Sequence, residues 1–153
     1  ISHVIQEFET QMDKMEIVLG PYSLKQMKKS GRVSAAAAVV GDLLGIRPII
    51  SLNAGVSKVE AKVRGDAAVP PAMIKWVESR VDSMKDTPYM VAYTSSTAKR
   101  DELVKLCKKT FGHAPMIVFQ LGGVVSANTG PDGIAIVYEG KPRNLEAYTP
   151  ELP

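Results

Sequence analysis

Along the chain the spacing of apolar residues changes several times, and each change marks the border of an element. Ile1, Val4, Ile5, Phe8, Met12 and Met15 recur at helical spacing with Gln6, Glu7, Glu9 and Asp13 opposite, which predicts an amphipathic helix packed on a sheet. Residues 16–19 are a short strand candidate before the Gly20-Pro21 turn, and residues 23–29 a small basic helix. Gly31 ends that helix, because a left-handed backbone position is filled cheaply only by glycine. Ser34 then offers an N-cap oxygen to a helix over residues 35–44. Gly45 closes it, Pro48 cannot continue it, and Ile46, Ile49 and Ile50 carry the chain into a buried strand.

Residues 46–52 and 56–64 read as a hairpin around Asn53-Ala54-Gly55. The second strand alternates: Lys58, Glu60, Lys62 and Arg64 on a wet face, Val59, Ala61 and Val63 on the core face. Residues 66–84 are expected as a helix opened by Pro70-Pro71, residues 89–94 as a strand, and residues 101–111 as a helix capped by the Ser95-Ser96-Thr97 cluster and ended by Gly112. With a strand over 115–120 this makes a strand–helix–strand crossover unit. Residues 124–127 and 133–138 are then expected as two strands of a hairpin around Asn128-Thr129-Gly130-Pro131-Asp132. The expected fold class is α/β, a mixed β-sheet covered by helices mainly on one face, with residues 141–153 a loosely held end.

At 153 residues the chain matches one domain, able to bury about two-thirds of its unfolded surface. A net charge of +3 is spread among acids rather than gathered in a stripe with aromatics, so no nucleic-acid partner is expected. The longest apolar run, 35–40, is far too short to span a bilayer and no signal-peptide layout opens the chain, so a cytoplasmic protein is expected. One cysteine, Cys107, excludes an internal disulfide; its helical context predicts a small buried or half-buried side chain. The chain begins at Ile1, already in a helical pattern, which suggests part of a longer protein.

Candidate chemistry concentrates in two glycine-punctuated turns, Gly31-Arg32-Val33-Ser34 and Asn128-Thr129-Gly130-Pro131-Asp132-Gly133. A guanidinium held on a stiff turn can grip a carboxylate or phosphate in two-pronged fashion, and short polar side chains on rigid backbone often hold ligand groups. His3, His113 and the exposed strand cation Arg64 read as ordinary surface residues. The hydroxyls of Ser95, Ser96 and Thr97 have no histidine or acid at a spacing that would make a nucleophile, and capping accounts for them.

The order of these motifs resembles the DegV family. LKQMKKSGRVSAAAAVVGDLLGIRPIISLNAGVSKVEAKVRG is similar to that family's leucine-lysine helix, Gly-Arg-Ile-Ser turn, helix and "ikPil" strand, and GGVVSANTGPDGIAIVYEG resembles its "iGxHTGPGalgvf" segment. The resemblance implies a DegV-like carboxy-terminal domain whose amino-terminal domain has no counterpart in these residues and is a missing partner. It also implies a carrier rather than an enzyme, holding a long-chain fatty acid, needing no cofactor or metal, and presenting the carboxylate to a separate fatty acid kinase. Carried over residue by residue, the ligand contacts are Arg32, Ser34, Asn128, Thr129 and Gly130, with Ala38, Leu43, Ile46 and Ile50 lining the apolar pocket. Asn128 stands where the family has histidine and Asp132 where it has glycine; an amide can donate and accept hydrogen bonds but holds no charge. Two other readings accompany it: an interaction module that has kept the fold and lost the ligand, and a dihydroxyacetone-kinase-like phosphotransfer domain, for which neither His3 nor His113 lies in a matching motif.

Overall fold

A computed structural model describes residues 2–31, 45–53 and 56–141. The elements run α1 (Ser2–Met12), β1 (Met15–Gly20), α2 (Lys25–Lys29), β2 (Ile46–Asn53), β3 (Val56–Arg64), a 3-10 turn (Asp66–Ala68), α3 (Val69–Arg80), β4 (Tyr89–Tyr93), α4 (Thr97–Phe111), β5 (Ile117–Gln120), α5 (Gly123–Thr129) and β6 (Ile134–Glu139). The six strands form one mixed sheet in the order β3-β2-β1-β6-β4-β5. Only β4 and β5 pair in parallel, joined through α4 as the crossover pattern predicts. The last strand, β6, inserts between β1 and β4, so the centre of the sheet is built from segments more than a hundred residues apart.

Alternation along the strands divides the apolar residues between two layers. Val18, Ile49, Val91, Ile134 and Ile136 point toward α3 and α4, where Met73, Val77, Leu103, Cys107 and Phe111 close the larger core. Leu19, Ile50, Ala92 and Ala135 point to the opposite face and pack with Leu24 and Met27 of the α2 segment. The sheet is therefore an α/β layer with its two long packed helices on one face and the short α2 and α5 on the other. Each fully buried aliphatic side chain contributes about 1.5–3 kcal/mol relative to exposure.

Several expectations are corrected. Residues 124–127 are helical rather than a strand: α5 covers Gly123–Thr129. A short run with β-branched residues does not distinguish strand from buried helix by period alone. Here the Ser126, Asn128 and Thr129 side chains each bond a carbonyl four or five residues back, which satisfies them locally, and packing on α2 selects the helix. The helix expected over 66–84 ends at Arg80, where Val81 turns extended (φ −128°) and leads Met84 into the core by a loop. α1 is helical, yet none of its residues is buried; Val4 and Phe8 are 67% and 64% exposed. Amphipathic spacing specifies an apolar face but not what covers it. Met15, expected on that helical face, instead opens β1. On β3, Val59 is more than a third exposed and the Glu60 carboxylate is turned in to accept from Ser51 Oγ (2.6 Å), because a bulge opposite Ile49 and Ile50 shifts the pairing.

Candidate functional site

Strand register gathers one set of connections at a single end of the sheet. β1 and β6 pair from Gly20↔Ile134, β4 and β6 from Tyr93↔Ile134, and β2 and β3 from Ile46↔Arg64. The ends of β1, β3, β4 and β5 and the starts of β2 and β6 therefore lie together. In open α/β sheets ligands bind outside the carboxyl ends of the parallel strands, which is this end for β4 and β5.

The end of α5, which carries Asn128 and Thr129, and the Gly130–Gly133 turn that follows form one part of it; the turn is shorter than the sequence reading because α5 takes in its first two residues. Asn128 Nδ2 donates to Val124 O (2.8 Å), and Thr129, 7% exposed, donates through Oγ1 to Val125 O (3.0 Å). The second amide N–H of Asn128 has no partner among the described residues. Gly130 sits at φ 90°, ψ 175°, a region open essentially to glycine alone. α2 packs against α5, and a Cβ at Gly130 would stand 3.6 Å from Gln26 Cγ. α2 ends at Ser30, and Gly31 has the expected left-handed backbone (φ 74°). Gly45, also at positive φ, hydrogen-bonds Gly65 N through its carbonyl (2.9 Å) at the same end of the sheet. Both described borders of the segment 32–44 thus lie at this end of the sheet, Gly31 after α2, which packs on α5, and Gly45 beside Gly65.

A second part is the loop after β4. Thr94, 3% exposed, donates through Oγ1 to Pro131 O (2.6 Å) and accepts from Gly133 N (2.8 Å). Ser95 adds its backbone N–H (3.0 Å) and its hydroxyl to the same Pro131 carbonyl. Gln120 at the end of β5 donates to Thr94 O (2.7 Å). Ser96 caps α4, accepting from Lys99 N (3.3 Å). Capping therefore accounts for Ser96, as expected, but Ser95 serves the turn instead; nothing local in the sequence distinguishes adjacent serines.

A third part is a charged group that sequence reading missed. Lys99 Nζ lies 3.3 Å from the centroid of the Tyr22 ring, 3.4 Å from Asp66 and 3.9 Å from Asp132. Arg47 Nε meets the other oxygen of Asp66 at 2.8 Å. Burial first, then the carboxylates of Glu102, Asp66 and Asp132, raise the Tyr22 hydroxyl to about 12. No spacing rule joins residues 22, 47, 66, 99 and 132. Asp132, the departure from the family glycine, is answered here by a lysine.

Of the residues read from the sequence, Asn128, Thr129 and Gly130 lie at this end of the sheet. Ile50 is fully buried among Leu19, Leu24 and Met27, and Ile46 is half-buried at the start of β2. Arg32, Ser34, Ala38 and Leu43 lie outside the described residues, as does the helix expected over 35–44. His113 bonds Met84 O through Nε2 (2.8 Å) away from this end, and His3 is on exposed α1. Cys107 is fully buried, and burial pushes its thiol up to about 12. Among the described residues no His, Cys, Asp and Glu group could hold a metal ion, and no helix is long and apolar enough to cross a membrane.

Comparison with known proteins points the same way. The model of the family described as "Uncharacterised protein, DegV family" matches residues 1–141. A DegV domain-containing protein of Clostridium acetobutylicum is 29% identical over 130 residues, which cover 85% of this chain and 45% of that protein. Among solved structures, a DegV family protein of Eubacterium eligens loaded with heptadecanoic acid superposes with a TM-score of 0.78 at 21% identity, covering 92% of this chain and 50% of that one. The Streptococcus pneumoniae Fatty Acid Kinase B3 protein, loaded with linoleic acid, gives 0.77 at 19% identity and the same coverage. The chain spans about half the length of the relatives it matches.

Proposed function

The chain belongs to the DegV family, and on that premise we propose that it is the lipid-binding domain of a fatty acid carrier, which holds a long-chain fatty acid and presents the carboxylate to a separate kinase. One observation carries the reading: α2, which leads into the Gly31-Arg32 turn, packs on α5, which leads into the Asn128 turn, with Gly130 seated against Gln26. Two helices about a hundred residues apart in sequence thus meet at one end of the sheet, which supports a site shared by the segments that follow them. The free N–H of Asn128 supplies a neutral donor for a carboxylate, and Arg32 the charge.

Solved proteins of this fold hold heptadecanoic and linoleic acid. Burying an acyl chain of about sixteen carbons at about 0.8 kcal/mol per methylene exceeds ordinary ordering costs, provided the chain is enclosed. A carboxylate lacking part of its donors would be costly to bury. We therefore expect this chain alone to bind weakly, with the remaining half of a longer protein completing the site. The role is that of a carrier, not a catalyst.

The test is titration of the isotope-labelled chain with a long-chain fatty acid at millimolar concentration, followed by amide chemical shifts. The expected result is movement confined to residues 23–31, 45–50 and 128–133. Amides at all of these positions that stay still under saturating lipid would overturn the reading. That outcome would favour the interaction module, the alternative suggested by the bond that commits the Asn128 amide to Val124 O.

A further inference from the structure

We infer that Thr94 is a positioning residue for the ligand-contacting turn, a role that rests on the reading of Asn128 and Thr129 as contacts to the bound acid. Its hydroxyl bridges the bend two residues wide between Pro131 and Gly133, donating to one carbonyl and accepting from the other residue's N–H. The Thr94 backbone N–H donates to Gly133 O as well (2.9 Å), so Gly133 is held on both of its backbone polar groups by one residue.

Gly133 is wedged between two threonines. A Cβ there would lie 3.3 Å from Thr94 Cγ2 and 3.5 Å from Thr129 Oγ1, so a side chain at 133 would crowd Thr94. Loss of the Thr94 bonds therefore frees Gly133 and with it the bend that follows directly on Asn128 and Thr129 at the end of α5. At the other end, Pro131 has a fixed φ and no N–H of its own, and its carbonyl gathers three donors, the Thr94 hydroxyl and the Ser95 N–H and hydroxyl. Gln120 braces the arrangement from β5 by donating to Thr94 O. Ser95 reaches only the Pro131 carbonyl, whereas the Thr94 hydroxyl ties both Pro131 and Gly133 to the end of β4, and buried as it is, no water replaces it cheaply.

The discriminating variants are Thr94→Val, which keeps the shape and loses the hydroxyl, and Thr94→Ser, which keeps the hydroxyl. In the chain carrying Thr94→Val, amide hydrogen exchange at Gly133 and Gly130 is expected to rise about tenfold, with Val91 and Ile136 in the core unchanged, and Thr94→Ser to stay close to the parent. Affinity for a fluorescent long-chain fatty acid should fall about tenfold in Thr94→Val and return in Thr94→Ser. Unchanged exchange at Gly130 in Thr94→Val would overturn the inference, as would faster exchange with undiminished affinity. If the parent chain shows no lipid response at all, the ligand reading fails on its own, and the exchange measurement still decides whether Thr94 holds the turn.

Discussion

Gly130 and Gln26 meet so closely that a side chain on the glycine would begin 3.6 Å from Gln26 Cγ, and this contact joins the two halves of the candidate site. The backbone there (φ 90°, ψ 175°) is one that L side chains rarely adopt. Gly130→Ala is expected to cost about 2 kcal/mol, within the 1–3 kcal/mol range for such strain. Denaturant unfolding measures it. Gln26→Ala, which only trims the neighbour, should change stability by less than about 0.5 kcal/mol; equal losses from both would show that packing, not backbone geometry, sets the cost.

At the opposite end of the sheet Glu16, 8% exposed, is held by Arg80 (2.5 Å from Nη2, 3.1 Å from Nε) and by the Tyr138 hydroxyl (2.8 Å). Removing the cation leaves a nearly buried carboxylate without the two nitrogen donors of Arg80. Arg80→Met should cost about 2 kcal/mol, less than a fully buried pair because the Arg80 side chain is 34% exposed. Tyr138→Phe should cost about 1 kcal/mol, and the double variant less than the sum, since both act on one carboxylate. Additive losses in urea unfolding would sink the idea of a shared network.

Alkaline pH supplies a test with a definite sign. Burial raises Tyr22 and Cys107 to about 12, and it pushes Tyr89 and Tyr138 upward as well. A group whose folded value lies above its unfolded value binds its proton more tightly when folded. Its contribution to stability is complete below the unfolded value, about 10 for tyrosine and 8.5 for cysteine, and is lost as pH rises through the folded value. The urea midpoint should thus hold to about pH 8.5 and fall progressively toward pH 12. Tyr22→Phe should make the decline shallower; a midpoint flat to pH 11 would contradict the assignment.

The serine pair after β4 gives the last prediction. Ser96→Ala removes the α4 cap and should cost about 1 kcal/mol. Ser95→Ala leaves the cap intact and should instead speed amide exchange in the Pro131–Gly133 bend. Circular dichroism melting and exchange together separate the two roles, and a loss of helix stability from Ser95→Ala would refute the division.

How much of this was legible beforehand follows from the range over which each interaction acts. The Gly112 terminus of α4 (φ 84°), the β2–β3 hairpin and the crossover through α4 are local and were readable. The family was legible in its two motifs, of which the segment 32–44 lies outside the described residues. The strand expected over 124–127 is a helix because so short a run shows no period, and packing on α2, a contact about a hundred residues away in sequence, decides it.

What residue order alone determined is the alternation that splits Val18 from Leu19, Ile49 from Ile50 and Ala135 from Ile136 between two cores, because strand geometry sends neighbours to opposite faces wherever the strand lies. What only the tertiary structure decided is the insertion of β6 between β1 and β4, and with it the meeting of Thr94 with Gly133, Gln26 with Gly130, and Lys99 with Tyr22 and Asp132. These partners are 33 to 104 residues apart, and such contacts carry no local spacing signal; they exist only once the whole sheet has closed around its last strand.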